Sequence, residues 1–197
     1  MNFKHTISYN EKKAIVLCWI IISIGVIYRI VLWLMNRGLF IDEANLARNI
    51  FERDFIGLTQ PLTHEQYAPP IFLWITKLNV SLFNYDEKIL RLFPLFSGIV
   101  ALLLFFKIIK EFISVKSVWY PLCLFATGAI YLRYSTEFKQ YMPDAFVTLV
   151  LIISALHFDV VKTKSFKFFL IWSLLGSLAI WLSMPSVFIL TGIGIYF

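Results

Sequence analysis

Pro69-Pro70-Ile71-Phe72-Leu73-Trp74-Ile75-Thr76-Lys77-Leu78-Asn79-Val80-Ser81-Leu82-Phe83 decides how this chain is folded. With Ala68 it makes an apolar run of about sixteen residues, short against the ~20 that cross the hydrocarbon of a bilayer as a helix. It also carries Thr76, Lys77, Asn79 and Ser81. The paired prolines suit a helix start, where the first turn needs no N–H donors. If the run crosses a bilayer, the loops before and after it lie on opposite faces. If it lies along the surface, they share one face.

Composition makes lipid the solvent. Of 197 residues, 59% are apolar, 18% aromatic and only 15% charged. A soluble domain of this size does not hide so much apolar surface. Phe, Trp and Tyr are plentiful, as expected where rings sit at bilayer interfaces. The net charge of +6 is no argument for nucleic acid, because the lysines cluster in short patches beside apolar runs, as in cytoplasmic membrane loops. Cys18 and Cys123 fall inside apolar runs, and no disulfide or metal-ligand spacing accompanies them. No cofactor and no metal is expected. Residues 14–35 follow Lys12 and Lys13, but the run is too long for a signal peptide and lacks a small-residue cleavage site, so it reads as an uncleaved span.

Further spans are predicted over residues 89–109, 118–132, 145–161 and 168–182. A last one opens near Ser186 and stops at Phe197 inside an apolar run. Loop charges settle the ambiguous stretch. Lys4, Lys12 and Lys13 precede the first span, Lys110 and Lys116 share one connection, and Lys162, Lys164 and Lys167 share another. The positive-inside rule places all three groups on the cytoplasmic side. That pattern holds only if residues 68–83 lie along the surface. The predicted fold is therefore all-α: a polytopic bundle of about six spans, the last incomplete, forming a single membrane domain over 1–197. A large outer loop, 36–88, carries two amphipathic surface helices, and a short outer loop spans 134–144.

The first surface helix is expected over residues 43–54, with Leu46, Ala47, Ile50 and Phe51 at helical spacing and Arg48 paired with Glu52 at i,i+4. Just before it stands Phe40-Ile41-Asp42-Glu43-Ala44, two adjacent carboxylates close to the point where the chain leaves the bilayer. Acids are rarely placed there without a use; the plainer reading is that Asp42 caps the helix. The second outer loop reads Arg133-Tyr134-Ser135-Thr136-Glu137-Phe138-Lys139-Gln140-Tyr141-Met142-Pro143-Asp144. Glu137 and Asp144 would face Asp42, and Arg133 and Lys139 would neutralise a phosphate; otherwise this is an ordinary charged loop with snorkelling bases. Arg29, inside the first span, either snorkels to the interface or faces the bundle interior.

Together these features resemble the GT-C superfamily, in the branch of protein O-mannosyltransferases and bacterial lipid A aminoarabinose transferases. The matching pieces are Asp42-Glu43-Ala44 after the first span, Pro69-Pro70 followed by Ile71-Phe72-Leu73-Trp74, and Leu90-Arg91-Leu92-Phe93-Pro94 opening the second span. Ser135-x-Glu137-x-Lys139-x-Tyr141, then Pro143-Asp144-Ala145, follow the third, and Ser183-x-Pro185-Ser186-Val187-Phe188 looks like a later span. The likeness covers nearly all of the chain.

What the resemblance implies is sugar transfer, with inversion, from a polyprenyl-phosphate donor to a hydroxyl of a lipid, glycan or protein acceptor. Asp42, beside Glu43, matches the proposed catalytic base of the family. The second acid matches Glu137 or Asp144, a choice the sequence leaves open. The family branch favours metal-independent transfer. Two departures stand out: aminoarabinose-type members carry Arg where this chain has Asn45, and Lys where it has Ala68. Phosphate contacts would then fall to Arg48, His64, Arg133 or Lys139, with Tyr141 in the same motif. The implied setting is a bacterial inner membrane with the site on the extracytoplasmic face. The sequence contains no soluble nucleotide-binding motif, which argues against a nucleotide sugar as direct donor. The competing readings are a fragment of a transporter or channel, in which residues 68–83 cross the membrane, and an inactive, truncated relative, because the chain reads as the N-terminal part of a GT-C-like module.

Overall fold

A computed structural model describes residues 9–157 and 166–196. Every regular element among the described residues is helical, in line with the all-α expectation. In order these are α1 (Tyr9–Leu34), α2 (Ile41–Glu52), a 3-10 turn (Gly57–Thr59), α3 (Pro70–Phe83), α4 (Glu87–Leu90) and α5 (Leu92–Phe112). They are followed by α6 (Trp119–Thr127), α7 (Ala129–Ser135), α8 (Tyr141–His157), α9 (Phe166–Leu182) and α10 (Ser186–Tyr196).

Two helices, α1 and α5, are long and apolar enough to cross a membrane. The other apolar helices are shorter: 17 residues in α8 and α9, 11 in α10 and 14 in α3. The expected lysine-rich connection through Lys162 and Lys164, the end of the run at 161, and Lys4 lie outside the described residues. α1 leaves Ile20, Ile27, Tyr28, Val31 and Leu34 exposed, apolar surface of the kind that marks a membrane or protein contact.

The expected span 118–132 is corrected. It breaks at Gly128, whose extended backbone (φ −60°, ψ 127°) separates α6 from α7. A Cβ there would meet the Leu124 carbonyl oxygen at 2.5 Å and the Tyr131 ring at 3.0 Å, so only glycine fits the kink. Breaking a helix inside an apolar bundle frees carbonyls that water does not reach. Arg29 of α1 satisfies them. Its Nη1 donates to Ala126 O (2.9 Å) and Gly25 O (3.0 Å), its Nη2 to Phe125 O (3.2 Å) and its Nε to Ser135 Oγ (3.0 Å). Arg29 is fully buried. Of its two expected roles, the structure selects the interior one.

Two cores result. Cys18, Ile22, Ala101, Leu102, Leu122 and Ala126 knit α1, α5 and α6 together; Cys18 and Cys123 remain free thiols. Leu46, Ile50, Leu58, Phe72, Leu90 and Phe138 form the second core beneath the loop segments.

The first surface helix has the expected apolar stripe, since Leu46, Ala47 and Ile50 are buried. Phe51 instead turns outward against the Tyr85 ring, and Asn49 takes the inward position. The helix also begins earlier than its charge pattern suggests. Phe40 is its N-cap and Asp42 its second helical residue, so Asp42 does not cap it. The Phe40 N–H is taken by Glu43 Oε2 at 3.0 Å, the reach-back half of a capping box.

Candidate functional site

Glu43 is the residue on which the two loop segments converge. Its carboxylate is completely buried. Oε1 accepts from Arg91 Nε (3.1 Å) and from the backbone N–H of Phe138 (2.6 Å). Oε2 accepts from Arg37 Nη1 (2.7 Å), Arg91 Nη2 (3.1 Å) and Phe40 N–H (3.0 Å). Burial by itself raises a carboxyl pKa, but the hydrogen bonds from Arg91, Phe138, Phe40 and Arg37 outweigh it and hold Glu43 below the ordinary carboxylate range. A carboxylate offers about four lone-pair directions, and these five donors occupy them. Glu43 therefore has none left for a substrate. Its expected catalytic role is corrected to that of a clamp joining α2, the α4–α5 junction and the 136–140 segment.

Arg91 shows why this was hidden. The sequence reads it as a base flanking the second span, whereas the structure buries it to 2% exposure. Besides gripping Glu43 it donates to Arg37 O (2.6 Å) and Gly38 O (3.3 Å). A short helix, α4, and the turn after it place Arg91 at the N-cap of α5.

The clamp leaves its neighbours free to act. Asp42 is exposed, one residue before Glu43. Lys139 lies close enough for Asp42, Glu137 and Glu43 to favour its charged form, although burial pulls its pKa below the ordinary lysine value. Its Nζ donates to Gln66 Oε1 at 2.8 Å. Glu137 Oε2 accepts from Arg133 Nε at 2.9 Å. The guanidinium of Arg133 also lies 5.4 Å from the centre of the Phe40 ring, and that of Arg37 lies 4.3 Å from the same ring, both within cation–π range. The Tyr141 ring lies tilted against that of Tyr134, 4.8 Å between centroids. Burial, then Glu137, Tyr134, Asp42 and Asp144, raise its phenol pKa. Asp144 stands in the first turn of α8, before the apolar run that opens at Ala145. Burial pushes its carboxyl up to about 6, against a smaller pull from the nearby Ser183 hydroxyl. Neither Asp144 Oδ1 nor Ser183 Oγ has a hydrogen-bond partner among the described residues.

Asp42, Glu137, Lys139, Tyr141, Arg133 and Asp144 are thus drawn to one face, although the sequence separates Asp42 from the rest by some ninety positions. The other two expected phosphate contacts are engaged differently. Arg48 is exposed and paired with Glu52 at 3.1 Å, as its i,i+4 spacing predicts. His64 is an exposed turn residue whose backbone oxygen accepts from Gln66 Nε2. Sequence reasoning missed Arg37, Arg91 and Gln66; for Arg91 the signal was its place in Leu90-Arg91-Leu92, an arginine inside an apolar run. No group of three or more His, Cys, Asp or Glu suited to a metal occurs among the described residues.

Beside Asp144 and Ser183 opens an apolar groove of 310 Å³ between the start of α3, α8 and α9, lined by residues such as Ile71, Phe146, Val150, Leu178 and Leu182. Comparison of the chain with family models, curated proteins and solved structures gives no match.

Proposed function

We propose that this chain is a membrane glycosyltransferase module that moves a sugar from a polyprenyl-phosphate donor to an acceptor hydroxyl at the outer membrane face. The observation that carries the reading is the Phe138 N–H to Glu43 Oε1 bond at 2.6 Å. It brings the Asp42 segment and the 133–144 segment to one face, as a two-loop active site needs and a transport path with the loops on opposite sides does not.

In this mechanism Asp42 accepts the proton of the acceptor hydroxyl as its oxygen attacks the anomeric carbon. The carbon–oxygen bond to phosphate breaks on the opposite face, and its electron pair leaves with the phosphate, so the configuration inverts. Arg133 and Lys139 stabilise the charge that develops on that leaving group. Arg37, Arg91, Arg133 and Lys139 match Asp42, Glu43, Glu137 and Asp144 in number; with Arg37 and Arg91 held by Glu43, Arg133 and Lys139 are the cations that an anionic ligand would meet. The groove under Asp144 suits an isoprenoid chain.

The test uses the protein in lipid nanodiscs with tritium-labelled undecaprenyl-phosphate mannose and undecaprenyl-phosphate glucose. Sugar release or transfer that Asp42→Asn abolishes without unfolding the protein supports the reading. Near-normal turnover in that variant removes Asp42 as base.

A further inference from the structure

We propose that the open cavity between residues 58–62 and 65–70 is a carbohydrate site, which seats the acceptor as a neutral, hydroxyl-rich ring. The word acceptor rests on the transferase reading; the binding site does not.

The cavity measures 470 Å³, the size of a small-ligand pocket. Six of its eleven lining residues are apolar, Leu58, Leu62 and Met184 among them; the polar ones are Thr59, Gln60, Glu65, Gln66 and Tyr67, and no Lys, Arg or His lines it. Lys139 and Arg53 donate to wall oxygens, Gln66 Oε1 (2.8 Å) and Pro61 O (2.9 Å), without lining the cavity themselves; the one charge in its lining is the Glu65 carboxylate, a sign that disfavours an anion such as a phosphate. An isoprenoid or acyl chain would strip water from two carboxamides and a carboxylate and give nothing back. Amide, hydroxyl and carboxylate together supply the donors and acceptors that hydroxyl groups require. Tyr67, 76% exposed, adds a flat apolar face for the C–H side of a ring.

The wall is built under strain. His64 (φ 59°) and Glu65 (φ 54°) are consecutive non-glycine residues in the left-handed region, a strained conformation that persists only where the surroundings enforce it. Buried Asn49 enforces it here. Its Oδ1 accepts from Thr63 N–H (3.0 Å) and Thr63 Oγ1 (3.1 Å), and its Nδ2 donates to Asn45 O (3.0 Å). The turn so held brings Glu65 and Gln66 into the cavity wall. Gln66 then accepts from Lys139 at 2.8 Å, and Lys139 feels the charge of Asp42. Lys139 thus ties the cavity wall to the neighbourhood of Asp42, while Arg133 and Arg37 lie against the Phe40 ring.

The experiment is saturation-transfer NMR on the whole chain in nanodiscs. The probes are methyl α-D-mannopyranoside, methyl β-D-glucopyranoside and, as competitor class, N-acetyl-Ser-Thr-amide. Decaprenyl phosphate binding is measured separately. At least one glycoside is expected to bind, with affinity falling about tenfold in Gln60→Ala and in Tyr67→Ala, and with unchanged melting of both variants. Binding of the peptide alone, no glycoside binding at saturating concentration, or glycoside affinity unaltered in both variants overturns the assignment. Glycoside binding without decaprenyl phosphate binding keeps the cavity and removes the transferase reading; the converse keeps that reading and removes the cavity.

Discussion

The Nε of Arg29 donates to Ser135 Oγ at 3.0 Å, and Ser135 Oγ donates in turn to Tyr131 O at 2.6 Å. A cation in the first helix thus holds the end of α7, two residues before Glu137. Arg29→Met leaves the carbonyls of Phe125 and Ala126 without donors and is expected to cost about 2–4 kcal/mol. Arg29→Lys restores the charge but not the planar fork, and recovers little. Thermal unfolding in nanodiscs checks both. A lysine variant as stable as wild type would mean that charge alone matters.

Gly98 of α5 faces the same junction. A Cβ there would collide with Ser135 Oγ and come within 3.3 Å of Arg29 Nε. Gly98→Ala is therefore expected to destabilise by about 1–3 kcal/mol, through overpacking. Combined with Ser135→Gly it should cost less than the sum of the two single changes, a coupling that a double-mutant cycle measures.

Glu43→Gln removes the charge that faces Arg91 while keeping the shape. Leaving that guanidinium buried and unpaired costs about 3–5 kcal/mol. Glu43→Leu with Arg91→Met removes both charges and should recover much of the loss. The readouts are the melting temperature and the accessibility of a cysteine placed at Gln140.

The same carboxylate sets an acid limit. Its folded pKa lies below the ordinary value, so its contribution is fully present above the unfolded carboxylate pKa of about 4.3. The contribution is lost as pH falls through the folded value. Melting temperature measured from pH 7 down to pH 3 should fall steeply below about pH 4.3 in the wild type and less steeply in Glu43→Gln. Equal slopes would place the acid sensitivity elsewhere.

Lys139→Met and Arg133→Met are expected to weaken decaprenyl phosphate binding and to reduce its dependence on salt. Arg48→Met, on the opposite side of α2 from the clamp, should leave that binding unchanged. An effect of Arg48→Met equal to the other two would reassign the phosphate contact.

What the sequence made legible follows its local signals. Unbroken apolar runs predict α1 and α5, and helical spacing predicts the buried Leu46, Ala47 and Ile50. The two acid-bearing loops were recognisable because charge beside hydrocarbon is costly. The Glu43–Arg91 pair, 48 residues apart, left no local trace, so Glu43 read as a partner of Asp42 in chemistry rather than as its support. The kink at Gly128 was equally hidden: one glycine in an apolar run signals little until Arg29, 97 positions from Ala126, is seen to replace the lost helical donors.

Because Glu43 binds donors from three separate stretches of chain, the loops that carry Asp42 and Glu137 are gathered when the protein folds, not when a ligand arrives. The conformational entropy of bringing those stretches together is then met once per molecule rather than once per encounter. A ligand entering this face would keep for itself the binding energy that a looser pair of loops would spend on closing.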